Sequence, residues 1–162
     1  MLNPTYRALV LDQLARFRGT LGYIISHTDP DALRRYRDGG DGWTVQEVMG
    51  HLLDFEQVFL QRMQVVVETD NPELPFPDPD QLVLAGDYNH RDVQTVYQQW
   101  HTYRTQLHSF LSARAESDWA RPARHPKRGT ITLEEQLLVT AWHDLNHLEQ
   151  ITHILAERRE AA

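Results

Sequence analysis

Two capping boxes, each opening a long run of apolar residues at three- and four-residue spacing, constrain this chain more than any other feature. Thr44 with Glu47, and Thr132 with Glu135, match the S/T-x-x-E pattern in which a hydroxyl and a carboxylate satisfy the free N–H groups of a helix start. Behind the first, Val48, Leu52, Phe55, Phe59 and Met63 form one stripe, and Trp43 stands where it can staple onto Val48. Behind the second come Leu133, Leu137, Ala141, Leu148, Ile151 and Leu155. Two further segments share that period. One opens at Asn3-Pro4, a cap followed by a proline suited to the first helical position, and carries Leu9 to Ile25. The other starts near Asn89, with Asp92 placed to complete a box, and carries Val93 to Leu111. The pattern predicts helices over roughly 4–27, 45–68, 90–114 and 133–158, a short helical turn around DALRRY, and no strand. The expected fold is all-α: a single domain over residues 1–162 forming a four-helix bundle with long interhelical connections, for which antiparallel packing is the natural solution.

The connections carry their own signals. TDNPELPFPDPDQLVLAGD holds four prolines, which oppose regular helix, and a link this long reads as a lid, a wall or a disordered segment. ARPARHPKRG, with Arg121, Arg124, Lys127 and Arg128, reads as a solvated loop, or as an anion-binding rim near the entry to the last helix. The absence of cysteine removes disulfides and thiolate-held metals, so a metal site must use histidine and carboxylates. A net charge of −7 opposes generic nucleic-acid binding. No window approaches the roughly 20 apolar residues of a membrane span, and the opening residues do not resemble a signal peptide. The expectation is a cytoplasmic protein that acts on a small molecule, without nucleic-acid or membrane partners.

Of the nine histidines, three invite a chemical reading. Each helical residue turns by about 100°, so Gln136, Thr140, His143, His147 and Gln150 share one narrow line. A bare H-x3-H is more often a wet helix face than a metal grip. Solvated faces, however, are usually built of Glu, Lys and Arg, and none of these five residues is charged. His51 lies among Val48, Phe55 and Val58 and points inward; a buried imidazole left unpaired costs about 1–3 kcal/mol. A metal shared by His51, His143 and His147 would satisfy all three rings. Such a triangle leaves positions open for a water, whose pKa falls towards 7, or a thiol. Glu47 and Asp54 flank His51 and could orient it or add a fourth ligand, although a solvated shoulder is the simpler reading. Gln150 could brace the site or touch substrate, and Thr140 shares its line. His101 and His108 share a face with Arg104 and read as solvated; His27, His90, His125 and His153 read as unremarkable.

WTVQEVMGHLLDFE, then GTITLEE, then HDLNHLEQI together resemble the DinB-like family of DNA-damage-inducible proteins, across nearly the whole chain and in the same order. The closing H-x3-H-x2-Q is the most specific part. The resemblance implies a four-helix bundle whose chain order departs from simple up-and-down, often as a homodimer. It also implies a divalent metal, nickel or zinc foremost with iron or manganese as alternatives, on His51, His143 and His147. It further implies, for some members, transfer of a low-molecular-weight thiol to an electrophile, and for others metal-dependent hydrolysis. Two readings follow: a metalloenzyme that activates a thiol or water, and a non-enzymatic dimeric metal-binding or stress-response module. A phosphotransfer bundle would need one exposed histidine rather than a converging trio.

Overall fold

A computed structural model describes residues 2–160. Four long helices form the bundle: α1 (Pro4–His27), α3 (Val45–Glu68), α5 (Val93–Ser112) and α6 (Leu133–Glu157). Both capping boxes form: the hydroxyls of Thr44 and Thr132 accept from the backbone N–H groups of Glu47 and Glu135, whose carboxylates accept in return. Asn3 caps α1 with Pro4 in its first turn, as read from the sequence. The third long helix begins later than expected. Its cap is Asp92, which accepts from the Thr95 N–H, and the residues before it form a 3-10 turn at Tyr88–His90.

The helix directions follow from which ends meet. Arg7 at the start of α1 pairs with Glu134 at the start of α6, so these two run parallel. Gln46 at the start of α3 donates to the carbonyl of Arg91, just before α5, so α3 and α5 also run parallel. Arg121, leading towards α6, donates to the carbonyl of Val66 at the end of α3, which sets those two antiparallel. α3 packs on α5 and α6, and α1 packs on the same two, so helices consecutive in the chain, α1 and α3 or α5 and α6, occupy opposite corners. The bundle is therefore up-down-down-up, not the simple antiparallel arrangement. This explains the proline-rich link. A helix the length of α3 spans about 36 Å, and the chain must travel back along it before α5 can start parallel to it.

Two expectations for the connections need correction. Within the proline-rich link, Pro79–Gly86 is a helix (α4), because Asp78 caps it through the N–H groups of Asp80 and Gln81 and Pro79 takes its first position. The basic stretch is not a plain loop. Pro122–His125 (β1) and Gly129–Thr132 (β2) form an antiparallel hairpin, with Ala123 opposite Ile131. The crossover adds to it: the Leu74 N–H donates to the Arg124 carbonyl and the Arg124 N–H to the Pro72 carbonyl, at 2.9 and 2.8 Å. The DALRRY turn is present as α2 (Pro30–Arg35).

The apolar core has two halves. One gathers Phe17, Leu21, Val48, Leu52, Trp100 and Ile151; the other gathers Leu14, Phe59, Met63, Leu107, Leu133 and Leu137. Between them lies a charged layer that inverts the expectation for Arg104. This arginine is 1 % exposed rather than solvated. Its guanidinium grips both oxygens of Glu56, at 2.7 Å each, and both oxygens of Asp144, and lies 4.8 Å from the centre of the Trp100 ring. Arg104 stays firmly protonated between its two carboxylates, and burial pushes Asp144 up to about 6.

Candidate metal centre

Two helix stripes face one another across a cavity of about 350 Å³. On α3, His51, Phe55, Phe59 and Arg62 fall at three- and four-residue spacing; on α6, Val139, Trp142, His143, Asn146 and His147 do the same. The crossover contributes Phe76 and Pro79, and the hairpin contributes His125 and Arg128. The long connections therefore wall the site.

At its base the structure brings His51, His143 and His147 together, one ring nitrogen of each within 4.8 Å of the others. The Nε2 atoms of His51 and His143 are 3.0 Å apart. Two nitrogens about 2.0–2.1 Å from one ion, at tetrahedral or octahedral angles, stand about 2.8–3.4 Å apart. The donor set fits a divalent cation on protonation as well. Ligand imidazoles must be neutral, and burial, followed by mutual repulsion with His147, pushes His51 down to about 3. Burial likewise lowers His143 well below its ordinary value, and it lowers His147. The His51 ring lies between Trp43 and Phe55, with ring centres at 4.8 and 4.6 Å, and its Nδ1 is buried without a hydrogen-bond partner.

His147 is oriented from behind. Gln150 Nε2 donates to Asp38 Oδ2 at 2.9 Å, which turns Gln150 Oε1 towards His147 Nδ1 at 2.8 Å. The proton then sits on Nδ1 and the Nε2 lone pair is free. The neutral stripe on α6 does avoid open solvent: Gln136 and Thr140 are buried.

The remaining residues singled out from sequence lie elsewhere. Glu47 is occupied by the Thr44 N–H, Asn89 Nδ2 and Arg37. Asp54 accepts from the Tyr88 hydroxyl at 2.8 Å, and its other oxygen is buried and unpaired. Thr140 donates to the Gln136 carbonyl. None of the three lines the cavity. His125 is not a bland loop residue: it is buried against the cavity, its ring edge-on to Phe76. The sequence reading also passed over Arg62, Phe76, Trp142 and Asp38. For Arg62 a signal existed, since it continues the line of His51, Phe55 and Phe59; the others depend on contacts made by the crossover and loops.

Fold and site together define a helical bundle of up-down-down-up order with a three-histidine cluster set beneath an aromatic cavity. The chain belongs to the DinB superfamily, whose sequence pattern matches residues 7–151. It is 27 % identical over 125 residues to OB0782 of Oceanobacillus iheyensis, covering 74 % of this chain and 67 % of that protein. It is 22 % identical over 142 residues to OB0413 of the same organism, covering 87 % and 80 %. Both relatives are named as candidate metal-dependent hydrolases. YfiT of Bacillus subtilis, described as a metal-dependent hydrolase candidate with an unusual four-helix bundle topology, superposes with a TM-score of 0.88 at 22 % identity over 98 % of this chain and 90 % of its own. A mycothiol-dependent maleylpyruvate isomerase superposes with a TM-score of 0.74 at 11 % identity; the match covers 90 % of this chain and 60 % of the isomerase. These structural likenesses establish a shared fold. Among the described residues no helix is long and apolar enough to cross a membrane.

Proposed function

We propose that this protein is a divalent-metal-dependent enzyme in which His51, His143 and His147 hold nickel or zinc and the cavity above them receives a small electrophilic substrate. The observation that carries the proposal is the convergence of three neutral imidazoles, with two Nε2 atoms at 3.0 Å, in a cavity whose lining also includes Phe55, Phe59, Phe76 and Trp142. A divalent ion there supplies Lewis acidity and lowers the pKa of a water or thiol that reaches it. The protein's own part is positional. Gln150 and Asp38 fix the His147 tautomer, Trp43 and Phe55 hold the His51 ring, and Phe59, Phe76 and Trp142 keep the cavity apolar.

Two nucleophiles suit this site. The names of the curated relatives favour water and hydrolysis. The cavity lining favours a low-molecular-weight thiol: among the described residues no carboxylate lines it, and the one further imidazole there, His125, has its Nδ1 occupied by the Lys127 N–H, so no general base stands ready for water. A thiol begins from a pKa near 8.5 and needs less help; the chain has no cysteine, so the thiol would be a cosubstrate. The thiol-transfer reading is therefore preferred. Untagged protein loaded with zinc or nickel, assayed with monochlorobimane and a panel of cellular thiols, should accelerate adduct formation. Thiol-independent cleavage of aryl esters would instead select hydrolysis. Absence of both activities in metal-replete protein would refute the enzymatic reading.

A further inference from the structure

Arg62 is unusual among the buried charges. It is 3 % exposed and lines the histidine cavity, yet among the described residues no carboxylate pairs with it. Its Nε and Nη2 both donate to one acceptor, the carbonyl of Pro75. A guanidinium carries five N–H donors, so three, including both on Nη1, have no acceptor among the described residues. The contrast within the same molecule is sharp: the other deeply buried arginines, Arg7 and Arg104, each hold two carboxylates.

The surroundings add positive charge instead of cancelling it. Arg128, an exposed residue, lines the same cavity, its guanidinium 5.6 Å from the centre of the Trp142 ring. Lys127 places its ammonium 4.3 Å from the centre of the Phe76 ring. Neither has an ion-pair partner among the described residues. Burial and the nearby Arg128 charge lower Arg62 to about 10, the direction expected of a cation without a counterion. A contact to the Pro75 carbonyl explains a donor, not a second cation in the lining of the same cavity. A desolvated charge is costly unless an opposite charge meets it. Within a protein of net charge −7, a cavity lined by two arginines and, among the described residues, by no carboxylate is a local reversal.

We propose that Arg62 and Arg128 form an anion-binding end of the histidine cavity, and that its ligand is a small organic carboxylate with an aryl or similarly flat apolar body. The guanidinium edges donate to the carboxylate oxygens, while Phe55, Phe59, Phe76 and Trp142 lie against the apolar part. The opposite end of such a molecule lies towards the three histidines. The proposal rests on the metalloenzyme reading for the use of this binding, but not for the binding itself.

The test is calorimetric titration of 3-phenylpropanoate and its neutral amide, 3-phenylpropanamide, into protein stripped of metal with a chelator, then into zinc-loaded protein. Stripping matters because a carboxylate can also ligate a metal. In the stripped protein the carboxylate should bind at least about tenfold more tightly than the amide, as expected for a charge-assisted contact. Arg62→Met and Arg128→Met should each lower carboxylate affinity more than amide affinity, so that the ratio between the two probes falls towards one. Arg62→Lys should keep part of the preference. Because Arg62→Met also frees the Pro75 carbonyl, a failure of that variant to fold leaves the decision to Arg128→Met and to the wild-type carboxylate-to-amide ratio. Equal affinities for the two probes, or no binding of the carboxylate to stripped protein, would overturn the anion site. A missing metal-binding heat with an intact Arg-dependent preference would instead overturn the metalloenzyme reading alone.

Discussion

The Nε2 atoms of His51 and His143 lie 3.0 Å apart although 92 residues separate them in the chain. Two neutral imidazoles meeting through the same atom form at best one weak hydrogen bond. A shared cation uses both lone pairs and that of His147. Zinc or nickel should therefore raise the melting temperature of the stripped protein; at 100 times its dissociation constant a ligand stabilises by about 2.7 kcal/mol. His143→Ala should abolish the shift while far-ultraviolet circular dichroism stays helical. An undiminished shift in that variant would remove the metal from these rings.

The Asp38–Gln150–His147 chain predicts a graded effect. Gln150→Ala frees His147 to adopt either tautomer and to turn, which should weaken metal binding about 10–100-fold without removing a ligand. Competition against a chromophoric chelator measures this directly. Asp38→Ala should cost less, because it leaves the Gln150–His147 bond in place and only loosens its aim.

Acid should destabilise the metal-free protein through the same rings. His51 falls to about 3 in the folded state from an ordinary 6.5, and His143 and His147 are lowered too. Below about pH 6.5 the unfolded chain then binds protons that the native state refuses, so stability present above that pH is lost as pH falls towards 3. Each ring contributes up to about 1.4 kcal/mol per pH unit. Asp144, held up at about 6, works in the opposite sense between about pH 4 and 6, and reduces the slope without reversing it. Denaturant melts between pH 7 and 4.5 in the presence of a chelator should show the decline. His51→Phe should make it shallower, with the part owed to His143 and His147 remaining.

How much of this can be read from the amino acids depends on how local each cause is. The long helices are legible because capping boxes and apolar stripes are properties of adjacent residues, as at Thr44–Glu47 and Thr132–Glu135. The histidine stripe on α6 is legible for the same reason: one helix carries it, and its lack of charge argues against open water. Helix direction is not legible, because it depends on meetings such as Arg7 with Glu134 that no local pattern encodes. Arg104 misleads on the same ground. Its partners Glu56 and Asp144 lie 48 and 40 residues away, and an arginine without visible partners reads as solvated. His125 and Arg62 join the site only once the crossover and hairpin fold over it.

That charged layer supports a prediction of its own. Arg104→Met leaves Glu56 and Asp144 buried side by side without their shared cation, and should cost about 3–5 kcal/mol at neutral pH. Part of the loss should return on mild acidification. The stranded carboxylates acquire folded pKa values above their unfolded ones, so the native state takes up protons first. Adding Glu56→Leu and Asp144→Leu to Arg104→Met should recover most of the stability at pH 7. Urea denaturation of the single and triple variants at two pH values decides the matter.

The ring of Tyr88 lies against two glycines: a Cβ on Gly50 would sit 2.0 Å from its Cδ2, and one on Gly86 would sit 2.2 Å from its Cε2. Both distances are far inside contact, so the ring occupies space that any side chain would deny it. From there its hydroxyl reaches Asp54, and the return end of the crossover is pinned to α3 beside His51. Gly50→Ala should expel the ring and break that bond, costing about 1–3 kcal/mol or more by overpacking. Because Gly50 precedes His51, metal affinity should fall with it. Tyr88→Ala removes the obstruction, so the double variant should be less destabilised than the sum of the two single changes, the signature of residues in direct contact. Thermal melts of the four proteins, with and without zinc, give both quantities; strict additivity would show that the ring does not need the space Gly50 leaves.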